Sequence, residues 1–285
     1  MTSPQTPERG DGHALNEWEL ARYNAAMRLS RELRWSPMTT DVPPINSWAG
    51  SSLGDRGEPT FTLRATVEGP VDPITGYLCD IKHVDELLRG HALPLLRDPL
   101  AEPGDFALAP RMIDAFARVA GHGLAVAKFV ELELVVSPFL KLTVAAGAPT
   151  MVELTRSYEF AAAHRLAVPG WSDEDNRRTF GKCSNPHGHG HNYVVEVTVR
   201  GTPEADGLVA PLPLLDRVVR ERVIEPFDHR NLNVECADFA ALNPTVENIA
   251  RAIWRRLDGT VSPARLVRVR VWETPKTFAD CAGEE

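Results

Sequence analysis

The densest chemistry in the chain lies in Phe180–Tyr193, FGKCSNPHGHGHNY. His189 and His191 stand two apart and directly precede a β-rich run, Asn192–Gly201 (NYVVEVTVRG). In a strand, residues i and i+2 share a face, so both imidazoles can converge on one ion. His164 ends a separate apolar run and supplies a third nitrogen if the two strands pair. Three neutral histidines leave a zinc ion its full charge and an open fourth position, the catalytic arrangement. An ion so held polarises a hydroxyl or carbonyl oxygen. His187 has the same parity, so His187/His189 is a rival pair. Pro186 and Gly188 disfavour regular strand there, which favours His189/His191. The plainer alternative is an exposed His/Gly loop that binds metal only adventitiously, with His164 a structural histidine.

Cys183 lies six residues before His189, in a loop of Gly, Ser, Asn and Pro. A cysteine beside a cation can act as a base or nucleophile, although a lone cysteine is more commonly a small buried hydrophobe. Asp228-His229 follows Pro226-Phe227 and precedes a polar turn. A carboxylate beside a histidine can fix its tautomer for proton transfer, yet many such pairs are only turn residues.

The elements that must carry these residues recur. Phe61–Gly69 (FTLRATVEG) and Asn192–Gly201 read as strands. Each is followed by a turn and a helix-like segment, Tyr77–Arg89 in one half and Leu208–Val223 in the other. A Pro-containing stretch and a second helix come next, Pro110–Ala120 or Pro244–Leu257, then a closing β-run, Val130–Val136 or Leu266–Trp272. The order β-β-α-α-β-β thus occurs twice, and Tyr23–Leu29 (YNAAMRL) echoes Phe160–Leu166 (FAAAHRL). We read this as an internal duplication, with Ala145–Thr150 as the linker. On that alignment Met27 stands in the place of His164, Gly57 and Pro59 near those of His189 and His191, and Ser137-Pro138 where Glu273-Thr274-Pro275 lies. The first copy therefore lacks the chemistry. The expected organisation is a disordered tail over 1–15, a degenerate copy over 16–145 and a metal-binding domain over 150–285. Two long loops, Trp35–Pro59 and Val168–Pro186, are expected to be functional or disordered.

The chain has 285 residues, long enough for two domains. With 31 basic and 39 acidic residues the formal net charge is −8, and no basic run stands out. That argues against nucleic acid and anionic membranes as partners. Four scattered cysteines suggest free thiols in a reducing compartment. With no signal peptide and no apolar stretch near the roughly 18 residues of a membrane helix, the expectation is a cytoplasmic protein.

The blocks FAAAHRL, FGKCSNPHGHGHNYVVEVTVRG, PFDHRNLN, PTVEN and VWETP resemble, in order and spacing, the 6-pyruvoyltetrahydropterin synthase family, whose superfamily includes 6-carboxytetrahydropterin synthases of queuosine (7-deazapurine) biosynthesis. The resemblance runs from about Thr155 to Gly283. It implies an α+β fold of tandem tunnelling-fold (T-fold) units, each a four-stranded antiparallel sheet with two helices on one face, assembling into a homo-oligomeric barrel. It implies zinc ligands at His164, His189 and His191, Cys183 as proton-abstracting base, and Asp228 and His229 as its acid/base partners. It implies Glu273 as the residue that holds the pterin ring, whose guanidine-like edge suits a carboxylate, with Thr245 and Glu247 lining the pocket. Thr245 and Glu247 also fit a helix cap and first turn. The implied substrate is 7,8-dihydroneopterin triphosphate, converted to 6-pyruvoyltetrahydropterin with loss of triphosphate. A Cys-x5-His-Gly-His spacing and the following Asn192-Tyr193 resemble that type. A Cys-x3-His-Gly-His reading, through His187/His189, resembles the 6-carboxy type. A protein that binds a pterin or purine without turnover would need only the glutamate, so Cys183, Asp228 and His229 argue for an enzyme. A zinc hydrolase using metal-bound water lacks an acidic base between Cys183 and Tyr193.

Overall fold

The structure, a computed structural model, describes residues 26–36, 60–97, 107–205 and 207–283. The expected tail over 1–15, residues 37–59 of the loop Trp35–Pro59, and the start of the run Tyr23–Leu29 lie outside the described residues. The chain divides into two compact units, one of Met1–Ser137 with Leu142–Val152, the other of Pro138–Lys141 with Glu153–Glu285. The boundary thus differs from the expected linker. Ala146–Thr150 forms tight turns belonging to the first unit, with Ala146 N bonded to Val130 O at 2.9 Å and Ala148 N to Ala145 O at 3.0 Å. Among the described residues no helix is long and apolar enough to cross a membrane.

In the first unit, β1 (Met27–Trp35) pairs antiparallel with β2 (Phe61–Gly69), from Met27 opposite Gly69 to Trp35 opposite Phe61. Helix α1 (Ile81–Leu87) starts where the Asp80 carboxylate accepts from Lys82 N at 2.9 Å, and it runs on through a π-turn, Leu88–Ala92, into Leu93–Arg97. Helix α2 (Leu108–Ala120) buries Met112, Ala115, Phe116 and Val119, the three-and-four spacing of an amphipathic helix. Strands β3 (Lys128–Ser137) and β4 (Leu140–Ala145) complete the order β1-β2-β3-β4.

The second unit holds the histidines. Strand β5 (Val152–His164) is followed by α3 (Asp173–Phe180), a 3-10 turn over Gly181–Ser184, and β6 (His189–Gly201). The loop expected over Val168–Pro186 is therefore ordered. Its pivot is buried Asn176: Val168 N donates to its Oδ1 at 2.8 Å, while its Nδ2 donates to Ser172 O at 3.2 Å. Helix α4 (Leu212–Val219) starts at Leu212 because Pro211 is extended, and continues through Arg220–Ile224 to Phe227. After the two-residue strand β7 (Arg230–Asn231) come α5 (Val246–Leu257), β8 (Arg265–Thr274) and β9 (Thr277–Ala282). The sheet order is β5-β6-β8-β9, with β7 parallel to β5. Tyr193, Val195, Val197 and Val199 alternate into the core. His189 and His191 continue that same alternation beyond the last core residue.

Each unit repeats the other's internal pairings. Ser30 and Thr66 hydroxyls meet at 3.0 Å, as Thr155 and Thr198 hydroxyls do at 2.9 Å. Arg31 donates through Nε to Asp85 of α1 at 2.9 Å, and Arg156 to Asp216 of α4 at 3.0 Å. Trp35 packs on Phe61, and Phe160 on Tyr193. The register slips at Thr66/Val67 in one unit and at Thr198/Val199 in the other. Arg28–Glu68 and Glu153–Arg200 each tie neighbouring strands of their unit, with the charges in opposite order.

These pairings correct one sequence alignment. They match Trp35 to Phe160, so Met27 corresponds to Val152, at the end of the strand opposite His164. The likeness of YNAAMRL to FAAAHRL follows side-chain types, whereas hydrogen-bond register decides what occupies equivalent places. Gly57 and Pro59, set against His189 and His191 in the sequence, lie outside the described residues. Thr62 pairs with Val135 as Val194 does with Trp272, which puts Val136 in the place of Glu273 and Ser137-Pro138 in that of Thr274-Pro275.

Candidate metal centre and active site

His164, His189 and His191 form a group whose ligand nitrogens all lie within 4.8 Å of one another, an arrangement that could hold a metal ion. His164, fully buried, donates from Nδ1 to the Pro244 carbonyl at 2.7 Å, which leaves its Nε2 lone pair facing the group. That Nε2 lies 3.0 Å from His189 Nε2. Among the described residues, His191 Nε2 is buried with no hydrogen-bond partner. Burial lowers the pKa of His164, and burial with the nearby His191 lowers that of His189. Both rings are thereby held neutral, the form that binds metal. Three imidazole donors, gathered with their nitrogens within 4.8 Å of one another, suit zinc.

His187 stays outside the group. It is exposed in a turn, its backbone N–H donating to Asn185 Oδ1 at 3.1 Å. Gly188 follows with φ +71°, and a Cβ there would lie 2.9 Å from the His164 carbonyl oxygen. Only glycine allows the chain to turn so close to the end of β5.

Cys183 is half-buried in the 3-10 turn, its carbonyl accepting from Leu166 N at 2.8 Å. It opens with His189 and His191 into a cavity of about 910 Å³. Glu273 brings its carboxylate oxygen within 3.5 Å of His164 Nε2 and 3.8 Å of His191 Nε2. It therefore borders the histidine group. Thr245 is the cap of α5, its hydroxyl accepting from Asn248 N at 3.3 Å, and Glu247 occupies the first turn. Their block also carries the Pro244 carbonyl that orients His164.

Asp228 and His229 are held against the edge of β5. Asp228 Oδ1 accepts from Ala161 N at 2.8 Å, and His229 N donates to Ala161 O at 2.6 Å. The Ala161 N–H, and next His229, lower the pKa of Asp228. Asp228 Oδ2 accepts from His229 Nδ1 at 2.8 Å, so His229 presents Nε2 to solvent from a backbone with φ +56°. His229 borders a different cavity, of about 460 Å³, shared with His191, Gly190 and Asn231. The structure thus assembles the three histidines with Cys183 and Glu273, and sets Asp228-His229 on another opening of the same unit. Among the residues that sequence reasoning missed are Pro244, Asn176 and Tyr193. Pro244 acts through a backbone carbonyl, which leaves no mark in residue type. Tyr193 is fully buried beside His164, its pKa raised by that burial.

Residues 153–284 match the family model for 6-pyruvoyl tetrahydropterin synthase. The chain is 39% identical over 143 residues to 6-pyruvoyl tetrahydrobiopterin synthase from Homo sapiens, a match covering 50% of this chain and 99% of that protein. The chain belongs to the 6-pyruvoyl tetrahydropterin synthase family. Proteins of this family are lyases, and the chain is an enzyme of that class. It is also 35% identical over 124 residues to a putative 6-carboxy-5,6,7,8-tetrahydropterin synthase from Archaeoglobus fulgidus, covering 44% of this chain and 90% of that protein. The solved 6-pyruvoyl tetrahydropterin synthase of Caenorhabditis elegans shares 38% identity, covering 47% of this chain and 96% of that chain, with a TM-score of 0.45. The family match lies in the second unit, the one that holds the histidine group.

Proposed function

We propose that the chain is a zinc-dependent lyase that converts 7,8-dihydroneopterin triphosphate to 6-pyruvoyltetrahydropterin with loss of triphosphate. The observation that carries this reading is the ligand register: His189 and His191 join His164, while His187 turns away. That register makes the spacing Cys-x5-His-Gly-His, the one resembling the 6-pyruvoyl type. Zinc in this site would supply positive charge that polarises substrate oxygens. Cys183, half-buried beside the histidines, takes a proton from the substrate side chain. Asp228 holds His229 Nδ1–H, leaving Nε2 to exchange the second proton. Glu273 accepts N–H bonds from the pterin ring, with Thr245 and Glu247 nearby. Because His229 faces its own cavity, the reading assigns it to the site of a neighbouring chain.

Within the same reading, the first unit is a duplicated T-fold copy that supplies barrel strands and an interface without metal chemistry. The exchanged charges of Arg28–Glu68 and Glu153–Arg200 support common descent, since the pair persists while its polarity reverses. The test of function is incubation of zinc-loaded protein with dihydroneopterin triphosphate and mass detection of products. A 6-pyruvoyl product is expected. A 6-carboxy product would move the assignment to the other branch, and no product in a zinc-replete sample would sink the lyase reading.

A further inference from the structure

The cavity that holds Cys183, His189 and His191 is also lined by Arg177, near the end of α3, and by Lys182, in the turn beside Cys183. Both side chains are exposed, and among the described residues neither has an ion-pair or hydrogen-bond partner. Four neighbouring charges, on Arg165, Asp173, Asp175 and Arg178, are already engaged in pairs. Arg178 holds Asp175 at 2.7 Å, and Arg165 reaches Asp173 at 3.6 Å while donating to Ser184 O at 3.0 Å. Asp173, the carboxylate on the cavity wall, is thus the one that faces Arg165. Two unmatched cations therefore stand at one side of a cavity whose other side is the metal group.

We infer that Arg177 and Lys182 form a polyphosphate subsite, which grips the anionic tail of the substrate while its side-chain carbons reach Cys183 and the histidines. The inference rests on the lyase reading for the identity of the substrate, but the subsite itself is defined by the charges alone. An arginine fork suits two phosphate oxygens at once, and a lysine ammonium suits a concentrated point charge. A cavity of about 910 Å³ accommodates a ligand of this size. The ties of Asn176 to Val168 and Ser172 hold α3 in place and so fix where Arg177 projects.

The experiment is calorimetric titration of the full-length protein with inorganic tripolyphosphate, alongside steady-state kinetics with dihydroneopterin triphosphate. Arg177→Gln and Lys182→Gln should each weaken tripolyphosphate binding about tenfold, and the double variant more, as expected for loss of charge-assisted contacts. KM should rise in step, while kcat, zinc content and binding of phosphate-free dihydroneopterin stay unchanged. Arg178→Gln, whose guanidinium is engaged by Asp175, should leave every quantity alone. The inference is overturned if the wild type does not bind tripolyphosphate, if the double variant binds it as tightly as the wild type, or if Arg178→Gln weakens binding equally. A protein that fails to turn over the pterin yet loses tripolyphosphate binding in the variants would reject the lyase reading and uphold the subsite. Turnover with an unchanged KM in the double variant would do the reverse.

Discussion

His164 is set by three surroundings: its end position on β5, its burial, and the Pro244 carbonyl that accepts a hydrogen bond from its Nδ1–H. Replacing it with Gln should weaken zinc binding by more than the roughly 10–100-fold that loss of an outer-shell partner costs, measured by competition with a chromophoric chelator. His187→Ala should leave zinc affinity unchanged, because that ring lies outside the ligand group. Equal losses in the two variants would overturn the assigned register. Gly188 is the residue that allows this register, with its positive φ and its 2.9 Å approach to the His164 carbonyl. Gly188→Ala should destabilise the fold by about 1–3 kcal/mol and lower zinc content with it, read by urea denaturation and metal analysis.

At the scale of elements, the segment between β5 and β6 is organised by one buried amide. Asn176→Ala removes several hydrogen bonds at once and leaves the Val168 N–H without its partner, so it should cost about 1–3 kcal/mol. Amide hydrogen exchange over 168–186 should quicken more than exchange in α5, and uniform quickening would deny the segment this local role. On the far side of the unit, Arg256 of α5 donates through Nε to Asp238 at 3.0 Å and stacks over Phe227. The Arg256 hydrogen bond holds the Asp238 pKa below its ordinary value. A carboxylate with a depressed folded pKa stabilises above its unfolded value of about 3.9 and loses that contribution as pH falls through the folded pKa. Asp238→Asn should therefore cost on the order of 1 kcal/mol at pH 7, with the gap from wild type closing below about pH 4. A gap that is constant from pH 7 to pH 3 would refute the ion-pair account.

At the scale of the whole molecule, the proposal that active sites are shared between chains has a direct consequence. Cys183→Ala and His229→Ala should each abolish turnover while retaining zinc. Co-expressed in one cell, they should recover activity, because mixed assemblies would contain some sites with both intact residues. Absence of recovery, with mixed assemblies verified by native mass spectrometry, would place Cys183 and His229 in one chain's site. A monomeric mass of 31.4 kDa with full activity would reject the assembly role given to the first unit.

Residue types and their spacing pointed to a histidine group, the Cys183 loop and the alternation of β-β-α-α-β-β, because strand parity and local turn chemistry are written in short stretches of chain. Those stretches left His187 and His191 as rivals, since both share parity with His189. Tertiary structure gathers His191 and not His187 with His164 and His189: the turn at Gly188 passes under the carbonyl of His164, a contact made between residues far apart in sequence. The same holds for Met27, whose neighbours looked like those of His164 until pairing with β2 placed it at the other end of its strand. It holds also for the ordered segment around Asn176, where a loop was expected, because a single buried side chain satisfies backbone groups that composition alone leaves open to solvent.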